Sequence, residues 1–261
     1  MTGLAIAHVS VRYDGAPVLE DVTLRIAPGR IVGLVGESGC GKSTLLRACC
    51  GLLSGDASAT GRILLHGTDL LHASERTLQG VRGSQIGMVF QDPEATFCPV
   101  MRIETHALDA LRAAGKCPKA AARRKIAALF SRLGLDDTER ILKSYPHALS
   151  GGMKQRVSLA LAMLPEPGIL LADEPTAALD VVSGQRVLAM LRQVRAELGT
   201  GLLVATHQIA SLYGFADEVA VMQAGKIVEF GKTESVFTAP QHPATRALLA
   251  ASMRLAQGGA T

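Results

Sequence analysis

The chain has 261 residues, a formal net charge of +4, 48% hydrophobic and 3% aromatic residues, and no Trp. That length suits one large α/β domain, or a core carrying a smaller insertion. Scarce aromatics and basic residues that cluster only at Lys119, Arg123, Arg124 and Lys125 argue against a nucleic-acid surface, and no apolar run reaches the ~20 residues of a membrane span. Alternation in Leu4–Val11 and Val22–Ile26, followed by the turn Ala27-Pro28-Gly29-Arg30, predicts antiparallel strands at the start. The apolar run Ile31–Val35 predicts a buried strand, and Leu45–Cys50 the helix after it. Further strands are expected at Gly61–Gly67 and Ile86–Phe90.

From Gln91 to Leu164 the pattern is helical, over Glu104–Ala114, Ala120–Leu133, Asp137–Leu142 and Gly151–Leu164. Alternation then returns: strand Gly168–Ala172, helix Val181–Leu198, strand Leu202–Thr206, helix Gln208–Phe215, strand Glu218–Met222, with a loose tail after Leu255. Such alternation implies a mostly parallel sheet covered by helices. The expected fold is α/β, with an N-terminal antiparallel β subdomain, an inserted α-helical subdomain and, from the G-x-x-x-x-G-K-[ST] stretch Gly36–Thr44 after a strand, a P-loop NTPase core. The core takes 1–90 and 165–261 and the insertion 91–164.

The stretch Gly36-Glu37-Ser38-Gly39-Cys40-Gly41-Lys42-Ser43-Thr44 joins the Ile31–Val35 strand to a helix and fits G-x-x-x-x-G-K-[ST] at every position. Glycines let backbone N–H groups approach a polyphosphate, Lys42 adds a point charge near the β- and γ-phosphates, and Ser43 offers an oxygen to Mg²⁺. Downstream, Ile169–Ala172 ends in Asp173 and Glu174. In a P-loop enzyme such a pair holds the Mg²⁺ hydration shell (Asp173) and activates the attacking water (Glu174). Between them Ser150, Gly151 and Gly152 open a helix, with Ser150 as N-cap and bare N–H groups toward an anion.

Cys40, Cys49, Cys50, Cys98 and Cys117 form no C-x-x-C pair and read as reduced thiols or small core residues. Cys40 reads as a small residue tolerated in the phosphate loop, or as a point of sensitivity to alkylation or oxidation. Met1–Ser10 carries no export pattern, so a cytosolic chain is the expectation.

Together these residues resemble the ATP-binding subunit of an ABC transporter over nearly the whole length. Leu149–Met153 is similar to the family signature; Gln91 matches the Q-loop glutamine, near Mg²⁺ and the attacking water; Ala178-Leu179-Asp180 matches the D-loop; His207 matches the switch histidine at the γ-phosphate; Tyr13 resembles the aromatic that stacks on adenine. The resemblance implies ATP and Mg²⁺ as cofactors. It also implies a second ABC ATPase subunit, identical or not, that completes each site head to tail. Two permease chains and an extracytoplasmic binding protein are implied as well, with the chain peripheral on the cytoplasmic face of the inner membrane.

Tyr145–Arg156, Phe90–Pro93, Gly225–Glu229 and Val236–Pro243 resemble the peptide and nickel importer ATPases. Peptide-type members often carry a longer C-terminal extension with a cysteine cluster, whereas Ile141–Pro146 and Leu179–Val182 look like the shorter nickel type. Nickel, or a nickel chelate, is therefore the first expected cargo, with dipeptides or oligopeptides as the alternative. A soluble ABC-type ATPase, such as a phosphonate-lyase-associated subunit, is a further one. Gln208, Cys98 and Ala244 stand where relatives usually have Asp, Asn and Tyr; none of these handles phosphate or water.

Overall fold

The computed structural model describes residues 3–113, 115, 118–177 and 179–258; Cys117, Ala178 and the end of the expected tail lie outside that set. In chain order the strands and helices are β1 (Leu4–Tyr13), β2 (Ala16–Ile26), β3 (Ile31–Val35), α1 (Lys42–Cys49), β4 (Ala57–Leu65), β5 (Thr68–Asp69), α2 (Glu75–Val81), β6 (Ile86–Val89), α3 (Ile103–Ala113) and α4 (Lys119–Arg132). They continue with α5 (Thr138–Lys143), α6 (Gly151–Met163), β7 (Ile169–Asp173), α7 (Val181–Leu198), β8 (Gly201–Thr206), β9 (Glu218–Gln223), β10 (Lys226–Lys232), α8 (Thr233–Thr238) and α9 (Pro243–Gly258). The fold is α/β, as the alternation implied. By packing, the chain forms two compact units, one up to Ser74 and from Gly201 onward, the other Glu75–Thr200. This division groups β6, β7 and α7 with the helices of 91–164.

In the first unit β3 is the organising strand. Every residue of Ile31-Val32-Gly33-Leu34-Val35 is buried, and β3 runs parallel to β8 on one side and β9 on the other. A strand buried on both faces needs a continuous apolar run rather than alternation, and this one has it. Its start is pinned by Asp217, whose carboxylate accepts from Ile31 N–H at 2.7 Å while Asp217 N–H donates to the Ile31 carbonyl at 2.9 Å. Gly33 is required by packing: a Cβ there would lie 2.6 Å from Leu212 Cδ1. Leu212 belongs to a short 3-10 turn, Ile209–Leu212, and this corrects the longer helix expected over Gln208–Phe215.

The other sheet of this unit is antiparallel, in the order β2-β1-β4-β5. Its alternation breaks at one level: His8 and Asp21 both adopt a left-handed backbone, φ 52° each, and β1 slips register against both neighbours. Gly61 on β4, at φ 94°, completes the irregularity; a Cβ there would sit 2.3 Å from the His8 carbonyl oxygen. His8 Nδ1 and the Asp21 carboxylate, 2.7 Å apart, cap the bulge from outside.

At the far end of the unit, Glu229 on β10 fastens the start of α9. Its carboxylate accepts from Gln241 N–H at 2.9 Å, His242 N–H at 2.9 Å and the Thr245 hydroxyl at 2.5 Å. Helix α9 continues to Gly258, past the point where a loose tail was expected. Burial alone would raise the Glu229 carboxyl. The bonds from Gln241, Thr245 and His242 outweigh it and hold the group below its ordinary 4.5. A carboxyl lowered in the folded state contributes stability above that ordinary value and loses it as pH falls through the lowered one. Between about pH 5 and 3 the melting temperature of the native chain should therefore fall more steeply than that of Glu229→Gln, by differential scanning calorimetry. Parallel slopes would show that this carboxylate carries no acid-linked stability.

In the second unit β6 and β7 pair in parallel, Ile86 with Ile169 through Val89 with Ala172. Gly87 lets α6 lie close, since a Cβ would reach 2.6 Å from the Ala162 carbonyl oxygen. Phe130 of α4, Val157 and Ala160 of α6 and Leu191 of α7 are fully buried. Helices α3, α4 and α6 pack on one another, and truncating a fully buried Phe to Ala typically removes about 3–5 kcal/mol.

Candidate functional site

The phosphate loop begins where β3 ends. Gly36 is needed because a Cβ would sit 2.2 Å from the Met222 carbonyl oxygen, and Gly41 because its φ is 107° and a Cβ would meet Leu19 Cδ2 at 2.7 Å. The turn closes with Cys40 N–H donating to the Glu37 carbonyl at 3.4 Å, and α1 starts with Leu45 N–H donating to the Gly41 carbonyl at 3.0 Å. Glu37, Ser38 and Gly39 are exposed, Ser43 and Thr44 half-buried. Lys42 folds back over the loop, 7% exposed, and its ammonium donates to the carbonyls of Gly36 at 2.7 Å and Glu37 at 2.9 Å, with Cys40 Sγ at 3.8 Å. The result is a ring of backbone around a buried cation at a helix N-terminus, a shape that suits a polyphosphate.

In the same unit His207 is exposed immediately after β8, where Gln208 N–H donates to Thr206 Oγ1 at 3.0 Å and turns the chain. Tyr13 closes β1, half-buried and paired across to Ala16 and Ala57, while the Arg12 guanidinium donates to the Gly15 carbonyl at 3.0 Å.

The second unit holds the carboxylates. Asp173 is 3% exposed at the tip of β7, and Glu174, 7% exposed, adopts the left-handed region at φ 48°. Ala177 N–H donates to the Glu174 carbonyl at 3.1 Å and closes a turn around Pro175. Gln91 is exposed beyond β6, just before Asp92, which caps the 3-10 turn Pro93–Thr96 by accepting from Glu94 N–H at 2.9 Å. Helix α6 opens at Ser150, whose hydroxyl accepts from Met153 N–H at 3.3 Å; loss of such a cap typically removes about 1 kcal/mol. Gly151 is exposed and Gly152 half-buried, with open space or ordinary packing where a Cβ would be. Asp180 caps α7 by accepting from Ser183 N–H at 3.0 Å, and its bonds from the Ser183 side chain and backbone hold the carboxyl below its usual range.

One residue here escaped the sequence reading. Gln155, on α6, is 1% exposed and donates from Nε2 to the Pro175 carbonyl at 3.0 Å. The available signal was a Gln and a Ser three apart, Gln155 and Ser158, inside an otherwise apolar helix stripe.

A model of the family described as "ABC transporter" matches residues 19–177, a span that opens ahead of the phosphate loop and closes just past Glu174. The chain belongs to this family. It is an ABC ATPase subunit, which binds ATP and hydrolyses it in work coupled to transport across a membrane. Among curated relatives, the dipeptide transport ATP-binding protein DppD of Bacillus subtilis is 39% identical over 257 residues, 97% of this chain and 77% of that protein. The oligopeptide transport ATP-binding protein OppD of Salmonella typhimurium is 36% identical over 242 residues, 93% of this chain and 72% of that one. Among solved structures, the dimeric post-hydrolysis state of the ATP-binding cassette MJ0796 bound to ADP and Pi matches with a TM-score of 0.78 and 26% identity, over 88% of this chain and 98% of that one. Among the described residues of the ABC subunit, no helix is long and apolar enough to cross a membrane.

Proposed function

We propose that the chain is an ATPase subunit of an importer for short peptides. The observation that carries this reading is the pair of peptide-transport relatives, each matched over more than nine-tenths of this chain and about three-quarters of its own length. They favour peptides over nickel, the first expectation from Ile141–Pro146 and Leu179–Val182. Nickel stays as the competing cargo.

In this reading backbone N–H groups of Gly36–Thr44 and the Lys42 ammonium hold the β- and γ-phosphates, and Tyr13 stacks on adenine. Glu174 takes the proton of the attacking water, Gln91 orients that water, and His207 donates to the γ-phosphate as charge builds on it. Ser150–Gly152, with Asp180, serve the nucleotide of a second ABC subunit, so hydrolysis follows closure of a dimer and closure moves the permeases. The donor set suits Mg²⁺: the Ser43 hydroxyl and the Asp173 carboxylate are hard oxygens. When bound, Mg²⁺ neutralises phosphate charge. We also keep the functional division into a core of 1–90 and 165–261 and a helical part of 91–164, and a location on the cytoplasmic face of the inner membrane beside two permeases and an extracytoplasmic binding protein.

The test is ATPase stimulation in the complex that co-purifies with the chain from membranes, reconstituted in vesicles with its binding protein. Addition of di- to pentapeptides should raise turnover several-fold, while Ni²⁺ leaves it unchanged. Stimulation by Ni²⁺ or its chelate alone would overturn the peptide reading, and co-purification with no permease would favour a soluble ATPase.

A further inference from the structure

Glu174 holds a backbone conformation that a residue with a Cβ adopts only when its surroundings impose it. The pairing of β7 with β6 ends at Ala172, two residues short of Glu174. Within the turn, Pro175 has a fixed φ and Ala177 N–H closes onto the Glu174 carbonyl. A further hold on the turn is Gln155, reaching across 20 residues to the Pro175 carbonyl. That side chain is nearly fully buried, and its Oε1 has no hydrogen-bond partner among the described residues. A buried amide with one end unsatisfied is a poor way to fill space, since Leu or Met would fill it without that penalty. Its Nε2 bond is therefore the reason for the residue.

Gln155 sits on the second turn of the helix that Ser150 caps, and α6 is fastened on a second side as well. Lys154 pairs with Glu94, and Ser158, 1% exposed, shares a 3.0 Å hydrogen bond with Thr96. Glu94 and Thr96 lie in the 3-10 turn that follows Gln91. The opening turns of α6 thus carry one link to the turn after Glu174 and two to the turn after Gln91.

We propose that Gln155 is a positioning residue for hydrolysis: by binding the Pro175 carbonyl it holds Glu174 in its working conformation, and it passes any displacement of the α6 N-terminus to that carboxylate. This rests on the reading of Glu174 as the base and of Ser150–Gly152 as a nucleotide contact for a partner subunit. It adds that occupancy of the α6 N-terminus is sensed at this subunit's own Glu174 through the Gln155 side chain.

The experiment compares Gln155→Met with Thr200→Val in the full chain together with its co-purifying subunits. Thr200 is an equivalent control, 2% exposed and donating to the Pro167 carbonyl at 2.9 Å, ahead of β7 rather than beyond it. Gln155→Met should lower kcat by about 10- to 100-fold with the ATP KM within about twofold of native, and Thr200→Val should lower the melting temperature comparably with kcat retained. Native kcat in Gln155→Met, or a loss shared by Thr200→Val, would overturn the proposal. Gln155→Glu guards against simple misfolding: only its protonated form can donate, so its activity should climb as pH falls relative to the native profile. A native pH profile in that variant would also overturn it. If Glu174→Gln keeps full turnover, the assignment of the base falls and the inference with it; if Glu174→Gln is inactive and Gln155→Met is not, the inference alone fails.

Discussion

Glu174→Gln is expected to bind ATP as the native chain does and to hydrolyse it about 10²- to 10⁴-fold more slowly. The change keeps the shape of a side chain that is 7% exposed, so the turn through Pro175 should persist and the melting temperature should hardly move. What disappears is the ability to accept a proton from water. Because hydrolysis is what reopens the closed pair in this reading, the variant should accumulate as an ATP-bound dimer. Size-exclusion chromatography with and without ATP, beside phosphate release, measures both effects. Turnover at the native rate would assign the base elsewhere.

Lys42→Ala should weaken ATP binding by roughly 10- to 100-fold, the range expected for losing a charge-assisted hydrogen bond to phosphate. It should also loosen the loop itself, since the ammonium bridges the carbonyls of Gly36 and Glu37. Those carbonyls would then rely on water, and the arc held open by Gly36 and Gly41 would lose its central tie. Isothermal titration with ATP and a non-hydrolysable analogue checks the affinity. Lys42→Arg separates the two contributions: it keeps the charge, but its larger planar fork does not fit a space this enclosed. Native affinity in Lys42→Ala would remove this lysine from the phosphate site.

Much of the architecture is legible from local pattern. The continuous apolar runs at 31–35 and 169–172 read as buried parallel strands and are such, and helices α3 to α7 lie within a residue or two of their expected bounds. The phosphate loop is legible because its chemistry constrains nearly every position. What local pattern missed depends on neighbours distant in the chain. The bulge at His8, Asp21 and Gly61 exists because three strands meet there, and no single strand's alternation announces it. The expected helix after His207 shortens to a 3-10 turn, with Leu212 seated against Gly33. Gln155 reads as one more polar position on a helix; its burial appears only once the turn after Glu174 is laid against it.

The Lys42 ammonium has consequences that reach beyond affinity. Because its donors are already engaged by the loop's own carbonyls, an arriving anion must take part of their place rather than fill an idle charge. A lone phosphate or a carboxylate has few oxygens with which to do so, while a triphosphate can engage the lysine and the surrounding amides together. In the proposed reading the loop acts as a threshold rather than a magnet, and selection of ATP against the many small anions of a cell starts with competition against the loop's own carbonyls.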